Sequence, residues 1–484
     1  MESELFDLID IDLDGTTERV LAGGRHLFSL LPAAFSGIRQ IGVIGWGPQA
    51  RAQAMNLRDS LAGSGIRVTV GLRPGSASYD GARADGFSEH DETLGEMMDV
   101  IRASDLVLLL IADAALVERH EEVFAALKPH AIVGLSHGFL LAHLQSRGGC
   151  FPPAHSVVAV CPKGMGKSVR RLYEQGTDID GAGINCSVAV HADADGRATD
   201  VALGWAVGVG APFMFETTLE SEYLSDIAGE RAILLGIPHA IAEAMYRRRI
   251  EMGDAPFDAF VRSTESMTGA LARTVSHGGI RAVLDEFSGD DRRTFDHAYC
   301  AAYRACAPII AELYDEVRSG NEVSGVCLAA RRTAPMPDID GSRMWQVGAE
   351  VRAVRDGNDV AIDPTTAGLF VGSMMAQVDV FRDEGHPWSE IANESIIELV
   401  DSLIPFMHAR GVAYMVDNCS TTARLGARKW GPRFEAAFNQ VAFPRIDGDG
   451  AREESLIASL EAHPVHDVLD TIAKFRPAVD IAVP

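Results

Sequence analysis

Lysine is nearly missing from this 484-residue chain: five lysines stand beside 38 arginines. Arginine therefore serves almost wherever a plain cation is needed. A lysine at a special position then marks a need for an ammonium that can exchange its proton, which a guanidinium cannot do near neutrality. Paired cysteines are missing too. The seven, at 150, 161, 186, 300, 306, 327 and 419, form no Cys-x-x-Cys pair, and their odd, scattered count fits reduced thiols in a cytoplasm. Positive charge is scarce, with 43 basic against 68 acidic residues and a net charge of −25. So acidic a surface disfavours phosphate backbones and anionic membranes, which argues against nucleic acid as a partner. No long apolar run exists. The longest, residues 201–215, is broken by Gly208, Gly210 and Pro212 and is too short to span a bilayer. The first residues (Glu2, Glu4, Asp7, Asp10) are acidic where a signal or transit peptide would be basic.

What remains is an ordinary globular balance, 47% hydrophobic and 23% charged, in a chain long enough for two or three domains. From residue 38 to about 215, β-branched runs at 38–44, 66–72, 106–111, 131–136, 157–161 and 186–191 alternate with helical patterns such as 49–61 and 116–127. That alternation predicts a mainly parallel sheet covered on both faces. Beyond about 216 the class changes. Segments 220–249, 261–275, 292–316, 367–384 and 388–409 all read as helices of period near 3.6. A faint echo joins Gly253-Asp254-Ala255-Pro256 to Gly385-His386-Pro387, each opening a helix. The stretch 331–341, with two prolines and several turn residues, reads as the longest connection.

Two places carry nucleotide chemistry. Gly45-Trp46-Gly47-Pro48-Gln49-Ala50 follows the first run of the α/β region as a Gly-x-Gly-x-x-Ala turn. Gly45 permits a tight turn, Gly47 lets backbone approach a pyrophosphate, and Ala50 allows close helix packing. At the end of the second run an NAD site would place an acid. This chain has Arg73, Ser76 and Ser78 instead, which suit a 2′-phosphate and favour NADP over a merely solvated loop.

Metal and proton chemistry has its own candidates. Asp226 and Glu230 lie one helical turn apart, and Glu394 with Glu398 repeats the spacing. Four carboxylates from two facing helices would form a hard oxygen cage for Mg²⁺, with room for two ions. Solvated helix faces also carry such pairs, but both pairs here are bracketed by apolar residues. Lys163 ends the run 157–161 after Pro162, where a strand-end lysine points into a ligand crevice. His137 closes another strand pattern. A surface lysine and a core histidine remain open readings of these two.

The residues quoted, together with Leu135-Ser136-His137-Gly138, Cys161-Pro162-Lys163-Gly164-Met165-Gly166, Ser225-Asp226-Ile227-Ala228-Gly229-Glu230-Arg231 and Asp417-Asn418-Cys419-Ser420-Thr421-Thr422, resemble the long class of ketol-acid reductoisomerases. The likeness runs from about Gly23 to Ile481. It implies an α/β Rossmann-like N-terminal domain followed by an all-α, knotted, internally duplicated C-terminal domain. Its parts would be 1–216 for NADP, 217–363 for the first helical repeat and 364–484 for the second. It also implies NADPH and two Mg²⁺ ions as cofactors, a small 2-hydroxy-2-acyl acid as substrate, and a homo-oligomer of two or more chains. The implied reaction is a 1,2-alkyl shift in 2-acetolactate or 2-aceto-2-hydroxybutyrate, then reduction to the 2,3-dihydroxy acid.

Carried over by position, Asp226 resembles the carboxylate bridging both ions, Glu230 and Glu394 ligands of one ion each, and Glu398 the acid beside the migrating centre. Lys163 and His137 match the proton relay, and Ser420 the holder of the substrate carboxylate. Pro162, Leu234, Leu235, Leu403 and Cys419 match the substrate's surroundings, and Gln49, Asp113 and His137 join the cofactor contacts. Departures from the family pattern fall at Leu116, Leu224, Ala228, Pro238 and Ile404, and Pro238 is expected to kink the metal-bearing helix. Those at 224, 228 and 404 motivate a second reading, the same chemistry on a different 2-hydroxy-2-acyl acid. A third is a catalytically silent NADP-binding protein, which would have no need of the carboxylates, Lys163 and Ser420. With its acidic start, the chain is expected in a bacterial cytoplasm rather than a plant organelle.

Overall fold

The computed structural model describes residues 1–332, 336–355, 360–448 and 452–483. The chain divides into two compact units. The first comprises Met1–Tyr223, Ser319–Leu328 and Lys474–Pro477; the second comprises Leu224–Arg318, Ala329–Ala473 and Ala478–Pro484.

The first unit is built on one sheet. Its strands are β1 (Ile9–Leu13), β2 (Thr16–Ala22), β3 (Gln40–Ile44), β4 (Arg67–Leu72), β5 (Leu94–Glu96), β6 (Leu106–Leu109), β7 (Ile132–Leu135), β8 (Val157–Pro162), β9 (Cys186–Ala192) and β10 (Phe213–Glu216). They lie in the order β1-β2-β10-β9-β8-β7-β6-β3-β4-β5. From β8 to β5 every neighbour is parallel. All six expected strands are present; five have β-branched runs buried almost throughout, the condition of a covered parallel sheet, while β9 is buried over its first half and exposed at Val190 and His191. The direction of β9, antiparallel to β8, is not written in its composition. The hairpin β1–β2 escaped the sequence reading because acids alternate along it, although Asp14-Gly15 joins it with φ of 51° and 75°, the conformation an Asp-Gly hairpin turn requires. Trp205, fully buried, donates its indole N–H to Gln53 Oε1 at 2.9 Å and so closes the core without an unpaired donor.

The second unit is helical. Four of its elements, beginning at residues 256, 261, 267 and 272, begin again at 388, 393, 399 and 404, a constant offset of 132. The turn glycines Gly253 and Gly279 recur as Gly385 and Gly411, all four at positive φ. Segments 261–275 and 388–409 were expected as plain α-helices. Each instead contains two π-helical stretches, Val261–Glu265 and Met267–Leu271 in one, Asn393–Ile397 and Leu399–Leu403 in the other. Their i→i+5 bonding spends more residues per turn than the apolar spacing reveals.

The expected helix 220–249 is two helices, Leu219–Arg231 and Gly236–Glu251. Pro238 does not kink anything. The break lies before it, at Leu235 (φ −135°), and Pro238 sits in the first turn of the new helix, where a missing N–H costs nothing. Of the expected connection 331–341, Arg331 and Arg332 end the helix Asn321–Arg332, residues 336–341 are non-helical, and 333–335 lie outside the described residues. Helix Pro364–Asp383 starts on an Asp363 cap. A Cβ on its Gly368 or Gly372 would strike the carbonyls of Phe295 and Tyr299, so these glycines seat it directly on the backbone of the long helix Gly289–Arg318.

Candidate active site

In the first unit, β3 runs into Gly45 (φ 114°), where a Cβ would lie 2.7 Å from the Leu110 carbonyl oxygen. Only glycine fits that turn. Gly47 caps helix Pro48–Ser60, its carbonyl accepting the Arg51 N–H at 2.9 Å. No atom lies within 4 Å of where a Gly47 Cβ would stand, so the backbone at Gly47 can be approached, as a pyrophosphate needs. Ala50 is fully buried against the sheet. Gln49 ties this helix to the turn after β8, donating to the Gly164 carbonyl at 2.6 Å. At the end of β4, Arg73 is exposed, and Ser76 Oγ accepts the Ser78 N–H at 3.2 Å. Asp113 opens the helix after β6, Asp113–Ala126, with Leu116 buried one turn on.

The ends of β7 and β8 bring His137 and Lys163 together around a carboxylate that the sequence reading passed over. Glu222 Oε1 lies 3.6 Å from Lys163 Nζ, and Glu222 Oε2 lies 3.6 Å from His137 Nδ1 and accepts the Gly138 N–H at 2.6 Å. The Lys163 and Glu222 side chains are each 1% exposed. An ion pair this buried persists only because each member compensates the other. Burial also pushes the nearby Cys186 thiol far up, with the Lys163 charge opposing it in part, so Cys186 stays a neutral packing group. Glu222 was legible: it stands four residues before Asp226, extending the acidic ladder by one rung.

In the second unit, oxygens of Asp226, Glu394 and Glu398 all lie within 4.8 Å of one another, and Glu394 is fully buried. Like charges so close repel by about 4 kcal/mol per pair even at an effective dielectric near 20. A cation relieves that repulsion, and an all-oxygen donor set matches Mg²⁺. Glu230 stands outside this trio. Its carboxylate meets Arg231 at 3.1 Å, while the fully buried Arg231 also donates to the Ile227 carbonyl at 3.1 Å. Glu394 and Glu398 sit on the π-helical stretch and at its end, where such bulges commonly serve function. Leu234, Leu235, Leu403 and Ile404 are all buried, as is Ala228, while Leu224 is half-buried. Burial first, then the charges of Glu230 and Glu398, push the Cys419 thiol far up, so it too remains protonated. Ser420 caps helix Thr421–Ala437, its Oγ accepting the Ala423 N–H at 2.9 Å.

Two family models match the chain. One described as the NADPH-binding domain of acetohydroxy acid isomeroreductase covers residues 37–213, and one described as the ketol-acid reductoisomerase C-terminal domain covers 219–356. The chloroplastic ketol-acid reductoisomerase of Pisum sativum is 53% identical across 100% of this chain and 85% of its own length. That of Spinacia oleracea is 52% identical across 100% and 83%. A solved NADH-preferring ketol-acid reductoisomerase from an uncultured archaeon shares the fold, with a TM-score of 0.58 at 23% identity, over 68% of this chain and 97% of its own.

The expectation of a bacterial cytoplasm is overturned by these two plant relatives, which match along the whole chain and are chloroplastic proteins. Of the acids behind it, Asp10 is a residue of β1 and pairs with Arg19 across the β1–β2 hairpin at 2.7 Å. Among the described residues no helix is long and apolar enough to cross a membrane. Identity above one half along a whole chain of this length reflects common descent: the chain belongs to the ketol-acid reductoisomerase family and is an NADPH- and Mg²⁺-dependent enzyme of branched-chain amino-acid synthesis.

Proposed function

We propose that Asp226, Glu394 and Glu398, with Glu230, hold the two Mg²⁺ ions, and that Lys163, oriented by Glu222 and neighboured by His137, handles the proton. The observation that carries this reading is the trio of carboxylates gathered within 4.8 Å in a largely buried place. When bound, the ions supply Lewis-acid polarisation of two adjacent substrate oxygens, and NADPH supplies the hydride. The chain's own residues do the rest. Once its ammonium has passed a proton to the adjacent Glu222 carboxylate, Lys163 Nζ as the neutral amine takes the proton of the tertiary hydroxyl as the alkyl group of 2-acetolactate or 2-aceto-2-hydroxybutyrate migrates, and returns that proton when the new 2-oxo group is reduced. Glu398 hydrogen-bonds a substrate oxygen at the migrating centre. Ser420 already accepts from Ala423, so its own O–H is the group that donates to the substrate carboxylate, at a helix N-terminus whose dipole favours an anion. Leu234, Leu235, Leu403 and the protonated Cys419 exclude water around the migrating alkyl group, and Pro162 lines the substrate beside Lys163.

For the cofactor, Gly45, Gly47, Gln49, Ala50 and Asp113 shape the cradle. Arg73, Ser76 and Ser78 read the 2′-phosphate. The constant offset of 132 supports dividing the helical part into repeats at 217–363 and 364–484, after a nucleotide domain at 1–216. Exposed Ile250, Met252 and Phe257, close together in sequence, support a homo-oligomer, which light scattering of the purified protein tests. The deciding experiment for the site is NADPH oxidation with 2-acetolactate and Mg²⁺. The parent turns over, Asp226→Asn does not, and normal turnover by Asp226→Asn would remove the trio from the mechanism.

A further inference from the structure

We propose that Glu390 and Gln377 are positioning residues of the metal cage, two buried struts that set the spacing between Asp226 and the Glu394–Glu398 segment. The inference rests on reading the trio as the Mg²⁺ site. The first strut starts at Ser225, the residue before Asp226. Its Oγ donates to Glu390 Oε1 at 2.5 Å. Glu390 is fully buried and lies one turn before Glu394. The same carboxylate oxygen lies 3.1 Å from His386 Nδ1, and His386 Nε2 lies 2.6 Å from the Tyr314 hydroxyl. The Glu390 carboxylate is thus fixed from two sides before it fixes Ser225.

The second strut is a single amide. Gln377, fully buried, accepts the Ile233 N–H at 3.1 Å, just beyond the helix that carries Asp226. Its Nε2 donates to the Glu394 carbonyl and to Ser395 Oγ, both at 3.1 Å. Between the struts the two backbones approach closely: a Cβ on Gly229 would lie 3.2 Å from the Glu394 carbonyl oxygen. Hydrogen-bonded polar groups sealed in an apolar interior fix geometry sharply, because losing a partner leaves an uncompensated buried group.

The chain contains its own control. At the offset of 132, the counterparts of Gln377, His386, Glu390, Glu394 and Glu398 are Met245, Asp254, Asp258, Arg262 and Ser266. Both copies build the same short helix and paired π-helical stretches. That fold therefore forms without the struts. Gln377 and Glu390 occur in the same copy as Glu394 and Glu398, and the counterparts of all four differ in the other copy, which ties the struts to the metal rather than to the helix architecture.

The test is Mg²⁺ titration calorimetry of the full chain, beside NADPH affinity and thermal melting in chelator. Gln377→Met and Glu390→Met keep shape and remove the polar bonds. Each should weaken Mg²⁺ binding by about 10- to 100-fold, as loss of groups that orient metal ligands does, while NADPH affinity stays within about twofold. Glu390→Gln, whose amide oxygen still accepts from Ser225, should recover most of the Mg²⁺ affinity, and Asp258→Asn in the other copy should change nothing. Should Glu390→Met fail to fold, Ser225→Ala breaks the same bond with a smaller change and must show the loss. Parental Mg²⁺ affinity in folded Gln377→Met together with Glu390→Met or Ser225→Ala would overturn the inference. If Asp226→Asn also bound Mg²⁺ as the parent does, the trio reading itself would fall, a separately visible outcome.

Discussion

The Lys163–Glu222 pair sets up a measurable contradiction between stability and activity. Both side chains are 1% exposed, and Nζ lies 3.6 Å from Oε1. Water cannot take over from a missing partner there, so Glu222→Gln or Lys163→Met alone leaves the remaining buried charge under-compensated, at a cost of about 3–5 kcal/mol. Each kcal/mol lowers the melting temperature of a 150–250-residue unit by about 2–4 °C, so each single variant should melt roughly 6–20 °C below the parent. The double variant replaces the pair by two neutral side chains of similar volume and should regain most of that loss, since a buried ion pair exchanged for matched neutral groups is often isoenergetic. Turnover of 2-acetolactate should stay lost in all three, because no exchangeable ammonium is restored by repairing the fold. Differential scanning fluorimetry and steady-state rates on the four proteins of this cycle suffice. Single variants melting within about 1–2 °C of the parent, with no coupling in the double, would refute the reasoning that the pair is a compensated buried unit.

Three further outcomes are expected. Arg73→Ala should lower NADPH affinity by one to two orders of magnitude, matching about 1.5–3 kcal/mol for charge-assisted bonds to the 2′-phosphate, and leave NADH binding nearly unchanged; equal losses for both would take Arg73 away from the phosphate. Glu398→Gln should slow conversion of 2-acetolactate more than reduction of the rearranged 2-oxo acid supplied directly, and an unchanged rate on 2-acetolactate would make that carboxylate structural. Burial and the charges of Arg355, Arg273 and Arg352 hold His408 down to about 4, with Glu265 the carboxylate facing it. The unfolded chain thus binds the extra proton first as pH falls, and stability should drop from about pH 6.5 toward 4. His408→Gln should flatten that slope in melts taken across the range; an identical slope would mean other groups produce it.

Much of this molecule could be read before its fold was known, and the failures share a cause. The six expected strands declared themselves through β-branched runs, and the nucleotide turn through Gly45, Gly47 and Ala50. The carboxylates of Asp226, Glu394 and Glu398 stood out by their spacing and the apolar residues that bracket them, with a solvated face still an open reading. What stayed hidden was information that single-residue chemistry does not encode: the reversed direction of β9, and the extra residues per turn in the π-helical stretches. Glu222 shows a different limit. Its spacing from Asp226 was visible, but nothing local distinguishes a buried acid from a solvated one until Lys163 and His137 arrive from distant strand ends. The helix break before Pro238 was misplaced because proline was weighed as a kink, whereas a helix start accommodates it without strain.

The interleaving of the two helical copies has a consequence for synthesis. Gly368 and Gly372 seat their helix on the backbone at Phe295 and Tyr299, and Gly236 meets Gly431 backbone to backbone. Neither copy can finish its core from its own residues. A ribosome adds about 5–20 residues per second, so the helix opened by Gly236 emerges roughly 10–40 s before the surface that will cover it. For that interval it presents a bare apolar face, in a chain whose nucleotide domain is already complete but for a few late residues. The nascent protein is then a finished dinucleotide cradle trailing half-built, adhesive helices, and that is the species a chaperone would have to recognise.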